Sequence, residues 1–126
     1  MDIGFLEKEL MEILWKMGKA DARDVYEELR KKRRTTYSTI NTTLVRLYEK
    51  GLLEREQIKS RGGFKYIYHP AKSKKEFEEK SVKETLLNLF RKFEDTTVSY
   101  LSESLEEDEE EIKKLKRKLE EEMKDD

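Results

Sequence analysis

Apolar residues recur along the chain in two rhythms, and their order predicts the elements. Leu6, Leu10, Ile13, Leu14 and Met17 share one face of a first helix, and Gly18 follows as its stop. Asp21 is placed to cap a second, because its carboxylate can accept the free amides of the next turn; Ala22, Val25, Tyr26 and Leu29 form the apolar face. Thr35 or Thr36 caps a third helix, which Ile40, Leu44 and Leu47 anchor to a core and Gly51 ends. The rhythm then becomes alternating. Leu52 to Ile58 and Phe64 to His69 predict two strands, the second a half-buried ribbon with Phe64, Tyr66 and Tyr68 against Lys65, Ile67 and His69. Between them Lys59-Ser-Arg-Gly-Gly63 supplies glycines for a tight hairpin, and Pro70 stops the run.

Three helices and then a hairpin is the order of a winged helix-turn-helix domain, assigned to residues 1–72. Ser73-Lys-Lys-Glu76 has the form of a capping box and opens a second domain, residues 73–126. There Val82, Leu86, Leu89 and Phe93 recur at helical spacing, widened by Leu87 and Phe90. Glu94-Asp-Thr-Thr97 interrupts with capping residues before Val98, Leu101 and Leu105. After Asp108 come Ile112, Leu115, Leu119 and Met123, with Glu109/Lys113 and Glu110/Lys114 spaced to pair. Three short helices with so few apolar residues predict a core shared with a second copy. Val82, Leu86, Leu89, Phe90, Phe93, Val98, Leu101, Leu105, Ile112, Leu115 and Leu119 are therefore the expected homodimer interface. The fold class is mainly α with a small β-hairpin wing, followed by a C-terminal helical dimerisation domain.

Composition sharpens this outline. Of the 126 residues, 35% are apolar and 45% charged, so the interior is thin and the surface dense with ion pairs. The absence of cysteine excludes disulfides, thiolate metal sites and cysteine nucleophiles. No uncharged run approaches the roughly 18 residues of a membrane span, and MDIGFLEKEL lacks the form of a signal peptide, so a cytoplasmic protein without a membrane partner is expected. The net charge of −1 conceals a division. Residues 1–73 hold 16 Lys/Arg against 11 Asp/Glu, and residues 74–126 hold 12 against 18. From Arg30 to Lys65 there are 11 basic and three acidic residues, the composition of a polyanion-binding surface.

Opposite its apolar face, the third helix presents Ser38, Asn41, Thr42, Val45 and Glu49, a stripe whose first two turns are uncharged. Asn can pair with adenine through N6 and N7, Ser and Thr can contact either base class, and Val can meet the thymine methyl. Lys31, Lys32, Arg33 and Arg34 precede this helix, Arg46 and Lys50 flank it, and Arg61 and Lys65 lie on the hairpin, where double-stranded DNA would need phosphate contacts. His69 is the only histidine and has no nucleophile–base pair or ligand cluster beside it, so neither an enzyme nor a metal or cofactor site is expected. Glu106 to Glu111 reads as a solvated helix start. A winged helix can also serve as a protein–protein adaptor or basal transcription component. Alternatively, Phe77, Phe90, Phe93 and Tyr100 could line a small-ligand pocket.

Leu10-Met-Glu-Ile-Leu-Trp-Lys-Met-Gly18, Asp24-Val-Tyr-Glu-Glu-Leu29, Thr39-Ile-Asn-Thr-Thr-Leu-Val-Arg-Leu-Tyr-Glu-Lys-Gly-Leu-Leu53 and Tyr66-Ile-Tyr-His-Pro70 together resemble the penicillinase-repressor family. That family includes the β-lactam-resistance repressors BlaI and MecI and the copper-responsive CopY repressors. The resemblance implies a dimeric winged-helix repressor whose third helix enters the major groove of an operator, with family contact positions at Ser38, Thr39, Asn41, Thr42 and Arg46. It does not carry the family's signals across. Thiolate copper sensing needs cysteine, and the Asn-Phe bond cleaved in the β-lactam repressors has no match, since Asn88 precedes Leu89 and the corresponding segment reads Ser99-Tyr-Leu-Ser102. An inducer or sensor partner of another kind is left open.

Overall fold

The computed structural model describes residues 3–124 as α1 (Phe5–Met17), α2 (Ala22–Arg30), α3 (Tyr37–Glu49), β1 (Leu53–Ser60), β2 (Gly63–Pro70), α4 (Lys74–Lys92), α5 (Glu94–Leu105) and α6 (Glu109–Lys124). Two compact units divide between Glu76 and Phe77, inside the first turn of α4. That is slightly beyond the Ser73 cap, and Lys74 pairs with Glu12 at 3.0 Å on the N-terminal side of the division.

In the N-terminal unit, side chains make the helix starts. The Asp21 carboxylate accepts from Asp24 N–H at 2.8 Å, and the Asp24 carboxylate accepts from Asp21 N–H at 3.3 Å. At α3 the cap is Thr36, whose hydroxyl oxygen accepts from Thr39 N–H at 3.1 Å. Gly18 closes α1 at φ 88°, in the region a side chain would strain. Leu10, Leu14, Val25, Leu29, Ile40, Leu44 and Leu47 are buried between the three helices. The apolar face of α1 is rotated from the expected one: Met11 is buried and Met17 exposed.

β1 and β2 pair antiparallel from Leu53↔Pro70 to Ser60↔Gly63, leaving a two-residue turn, Arg61-Gly62, with positive φ at Gly62 and Gly63. Both strands run longer than the alternation predicts. The half-buried ribbon is corrected too: Tyr68 is 1% exposed but Phe64 is 67% exposed, because the helical core lies only under the hairpin's base. That base is fixed by Ala20, which exchanges both backbone hydrogen bonds with Tyr68, at 2.9 and 2.8 Å.

Glu7 and Lys50 join the start of α1 to the end of α3 at 2.8 Å. Burial alone would raise the Glu7 carboxyl, but the Lys50 hydrogen bond, Gly4 N–H and the charges of Lys50 and Arg46 hold it below the ordinary carboxylate range. A lowered folded-state pKa stabilises above the unfolded value, and the gain disappears as pH falls through the folded one. Lys50→Met is therefore expected to cost about 1–3 kcal/mol at neutral pH, toward the lower end because Lys50 is partly exposed. Urea unfolding of the variant and the parent should converge as pH falls.

Ser73, still on the N-terminal side of the division, caps α4 through Glu76 N–H at 3.1 Å, and in the C-terminal unit Asp108 caps α6 through Glu111 N–H at 2.9 Å. The break before α5 falls at Phe93, φ −138° and ψ 56°, without a side-chain cap. The expected i, i+4 pairs are replaced by i, i+3 ones, Lys113–Glu110 at 3.8 Å and Lys114–Glu111 at 3.0 Å, since both spacings are neighbours on a helix. Leu87, Phe90, Val98, Ile112 and Leu119 are buried together, with Leu86, Leu101 and Met123 packed against them. The three helices thus close a small core within one copy. Of the expected interface residues, Phe90, Val98, Ile112 and Leu119 lie inside that core, whereas Val82, Leu89, Phe93, Leu105 and Leu115 are exposed, together with Tyr100.

Candidate nucleic-acid interface

The capped start and apolar anchors of α3 decide which side faces water. Ile40, Thr43, Leu44 and Leu47 turn inward, and the buried Thr43 hydroxyl donates to Thr39 C=O at 2.7 Å, so it leaves no unmet polar group. Ser38, Thr39, Asn41, Thr42 and Arg46 are exposed, and Val45 is half-buried. The structure brings the uncharged stripe together on one continuous outer face.

The cations around it fall into two sets. Lys31 pairs with Glu28 at 3.1 Å, Arg33 with Glu9 at 2.6 Å, Lys50 with Glu7, and Lys65 with Asp21 at 2.9 Å. Lys32, Arg34, Arg46 and Arg61 are exposed and form no salt bridge among the described residues. Asp21 therefore does two things, capping α2 and holding a wing lysine. Burial acts to raise its carboxyl, but the bonds from Lys65 and from Asp24 N–H outweigh that and hold it low.

Two arginines outside the expected set organise the surface. The Arg55 guanidinium carbon sits 3.9 Å from the ring centroids of both Tyr48, at the end of α3, and Tyr66, on β2. This double stack joins wing to helix, and the strand register sets Arg55 opposite Tyr68, two residues from the stacked Tyr66. Arg23 lies 5.1 Å over Tyr37 and 5.8 Å over Tyr26, rings that themselves meet edge to face at 6.0 Å. Between the first turns of α2 and α3 and the wing opens a cleft of about 540 Å3, lined in part by Asp21, Arg23, Tyr37, Asn41, Phe64 and Lys65.

The penicillinase repressor family model matches residues 3–121, spanning both units. The chain belongs to the penicillinase-repressor family. Members of that family are transcriptional repressors and not enzymes. The methicillin resistance regulatory protein MecI of Mammaliicoccus sciuri is 36% identical to this chain over 56 residues, 44% of the present chain and 46% of MecI. The match thus spans less than half the length of that relative. The solution structure of the DNA-binding domain of the repressor BlaI shares 30% identity, covering 58% of this chain and 84% of that one at a TM-score of 0.49. A possible transcriptional regulator from Methanosarcina mazei Go1 superposes with a TM-score of 0.50 over 82% of this chain and 78% of its own, at 20% identity, a likeness of fold alone. Among the described residues no helix is long and apolar enough to cross a membrane.

Proposed function

We propose that this chain is a cytoplasmic, homodimeric repressor that binds a pseudo-palindromic operator with α3 in the major groove, residues 1–72 holding DNA and residues 73–126 the second copy. The observation that carries this reading is the exposed stripe of Ser38, Thr39, Asn41, Thr42 and Val45, uncharged in a chain that is 45% charged. Short hydrogen-bonding groups of both polarities suit base edges. Lys32, Arg34, Arg46 and Arg61 supply phosphate contacts, with Lys31 and Arg33 reachable because surface ion pairs are weak. Two recognition helices related by a two-fold axis meet successive major grooves about one helical turn apart.

Selection of bound fragments from the source genome, followed by footprinting, tests this. A symmetric pair of protected half-sites is expected; a single unsymmetrical site bound by one copy would overturn it. Arg46→Ala and Arg61→Ala should each weaken specific and non-specific duplexes alike and lower the salt slope by roughly one, measured by anisotropy titration at several salt concentrations.

A further inference from the structure

The cleft beside α3 holds residues that neither the base-reading stripe nor the wing cations account for. Its walls are the α2 start, the first turns of α3 and the wing, and Asn41 and Phe64 are both among the residues that line it. A duplex that receives α3 in its major groove and meets the wing on its flank must pass one strand between those two elements. Such a passage rests on the proposed reading of α3 as the major-groove helix.

The chemistry of the walls fits a sugar–phosphate strand. At many helix starts free amides would take a phosphate, but here the Asp21 carboxylate occupies Asp24 N–H and the Asp24 carboxylate occupies Asp21 N–H. Lys65 is neutralised by Asp21. The charge left to the cleft is Arg23, whose guanidinium is held over Tyr37 and Tyr26, and whose one ion pair among the described residues, with Glu27 at 3.7 Å, is solvent-exposed and weak. A planar cation fixed by its faces keeps its N–H edges for a phosphate. Phe64, which also lines the cleft, exposes two-thirds of its surface beside a tight turn, where it has little core to fill. An exposed ring suits the apolar face of a deoxyribose.

We propose that this cleft seats one backbone strand of the DNA duplex, with Arg23 binding a phosphate and Phe64 packing on the adjoining sugar. Asp21 tempers the affinity by holding Lys65.

The full chain is titrated with a fluorescent random-sequence duplex at several salt concentrations. Arg23→Gln is expected to lower the salt slope by about one, so that the affinity lost between about 50 and 200 mM salt shrinks three- to fourfold, and Arg23→Lys to retain the slope. Phe64→Ala is expected to weaken binding severalfold with the slope unchanged. Asp21→Asn keeps an acceptor for the α2 cap but releases Lys65, so its slope rises by about one. Opposite signs at Arg23 and Asp21 cannot come from partial unfolding. If the parent binds duplex and Arg23→Gln keeps the parent slope, or Asp21→Asn leaves it unchanged, the cleft is not the seat of the strand. If the parent binds no duplex, the reading of α3 itself fails.

Discussion

Asn41→Ala is expected to weaken the specific operator by about 1–3 kcal/mol, roughly fivefold to more than a hundredfold, and to leave random-sequence DNA bound as before. The size follows from what the side chain can do. A carboxamide offers a donor and an acceptor in one plane, the pattern adenine presents through N7 and N6 in the major groove. Asn41 is exposed and its amide has no hydrogen-bond partner among the described residues, so its loss removes nothing from the fold. Alanine also has the better helix propensity. Thermal unfolding of the variant should match or exceed the parent, and competition with singly substituted operators should show relaxed preference at one base pair in each half-site. Unchanged discrimination across the whole operator would remove Asn41 from the reading face.

The second large effect separates two neighbouring phenylalanines. Phe90 is fully buried in the C-terminal unit, and Phe90→Ala should cost about 3–5 kcal/mol of stability through lost burial and a cavity. Phe93, three residues on, is 61% exposed at the break before α5, with Leu89 44% exposed one turn earlier. If Phe93 lies in the proposed dimer interface, Phe93→Asp should leave the helical circular dichroism intact and dissociate that dimer, because a carboxylate placed in an apolar interface loses its hydration. Sedimentation should report half the mass. Operator affinity should fall steeply, since the second half-site is no longer bound at the effective concentration a tethered copy provides. A dimer that survives Phe93→Asp places the interface elsewhere.

The contrast marks what a sequence pattern can carry. Caps and face periodicity are local, so Asp21 and Ser73 announce their helices, Thr35 and Thr36 narrow the start of α3 to two positions, and the spacing of Ile40, Leu44 and Leu47 is enough to fix the outer stripe of α3. Periodicity finds an apolar face but not what covers it. Phe90, Val98, Ile112 and Leu119 are covered by their own chain's helices, while Phe93 and Leu105 are not, and no spacing rule separates the two sets. Charge counting has the same weakness. Lys50 and Lys65 look available in the sequence, yet Glu7 and Asp21, 43 and 44 positions away, already engage them. Arg55 escapes notice, as does the hold of Tyr37 on Arg23, because a guanidinium on a ring from another element requires chain crossings that local pattern does not encode.

The attachment of the wing has a mechanical consequence. Ala20 and Tyr68 clamp the hairpin at its root and the Arg55 stack braces it further out, while the turn at Arg61-Gly62 and the flanking Phe64 stand in solvent. Such a beam is a cantilever, stiff where it is built in and compliant at its free end. Amide exchange should be slow at Tyr68 and quicken toward Gly63. In the proposed docking, where the wing lies on the flank of the duplex, a compliant tip can follow the local groove width, which varies with base sequence, while the built-in root holds its place beside α3, so flanking DNA that no side chain reads by its base edges would still modulate how tightly the wing settles.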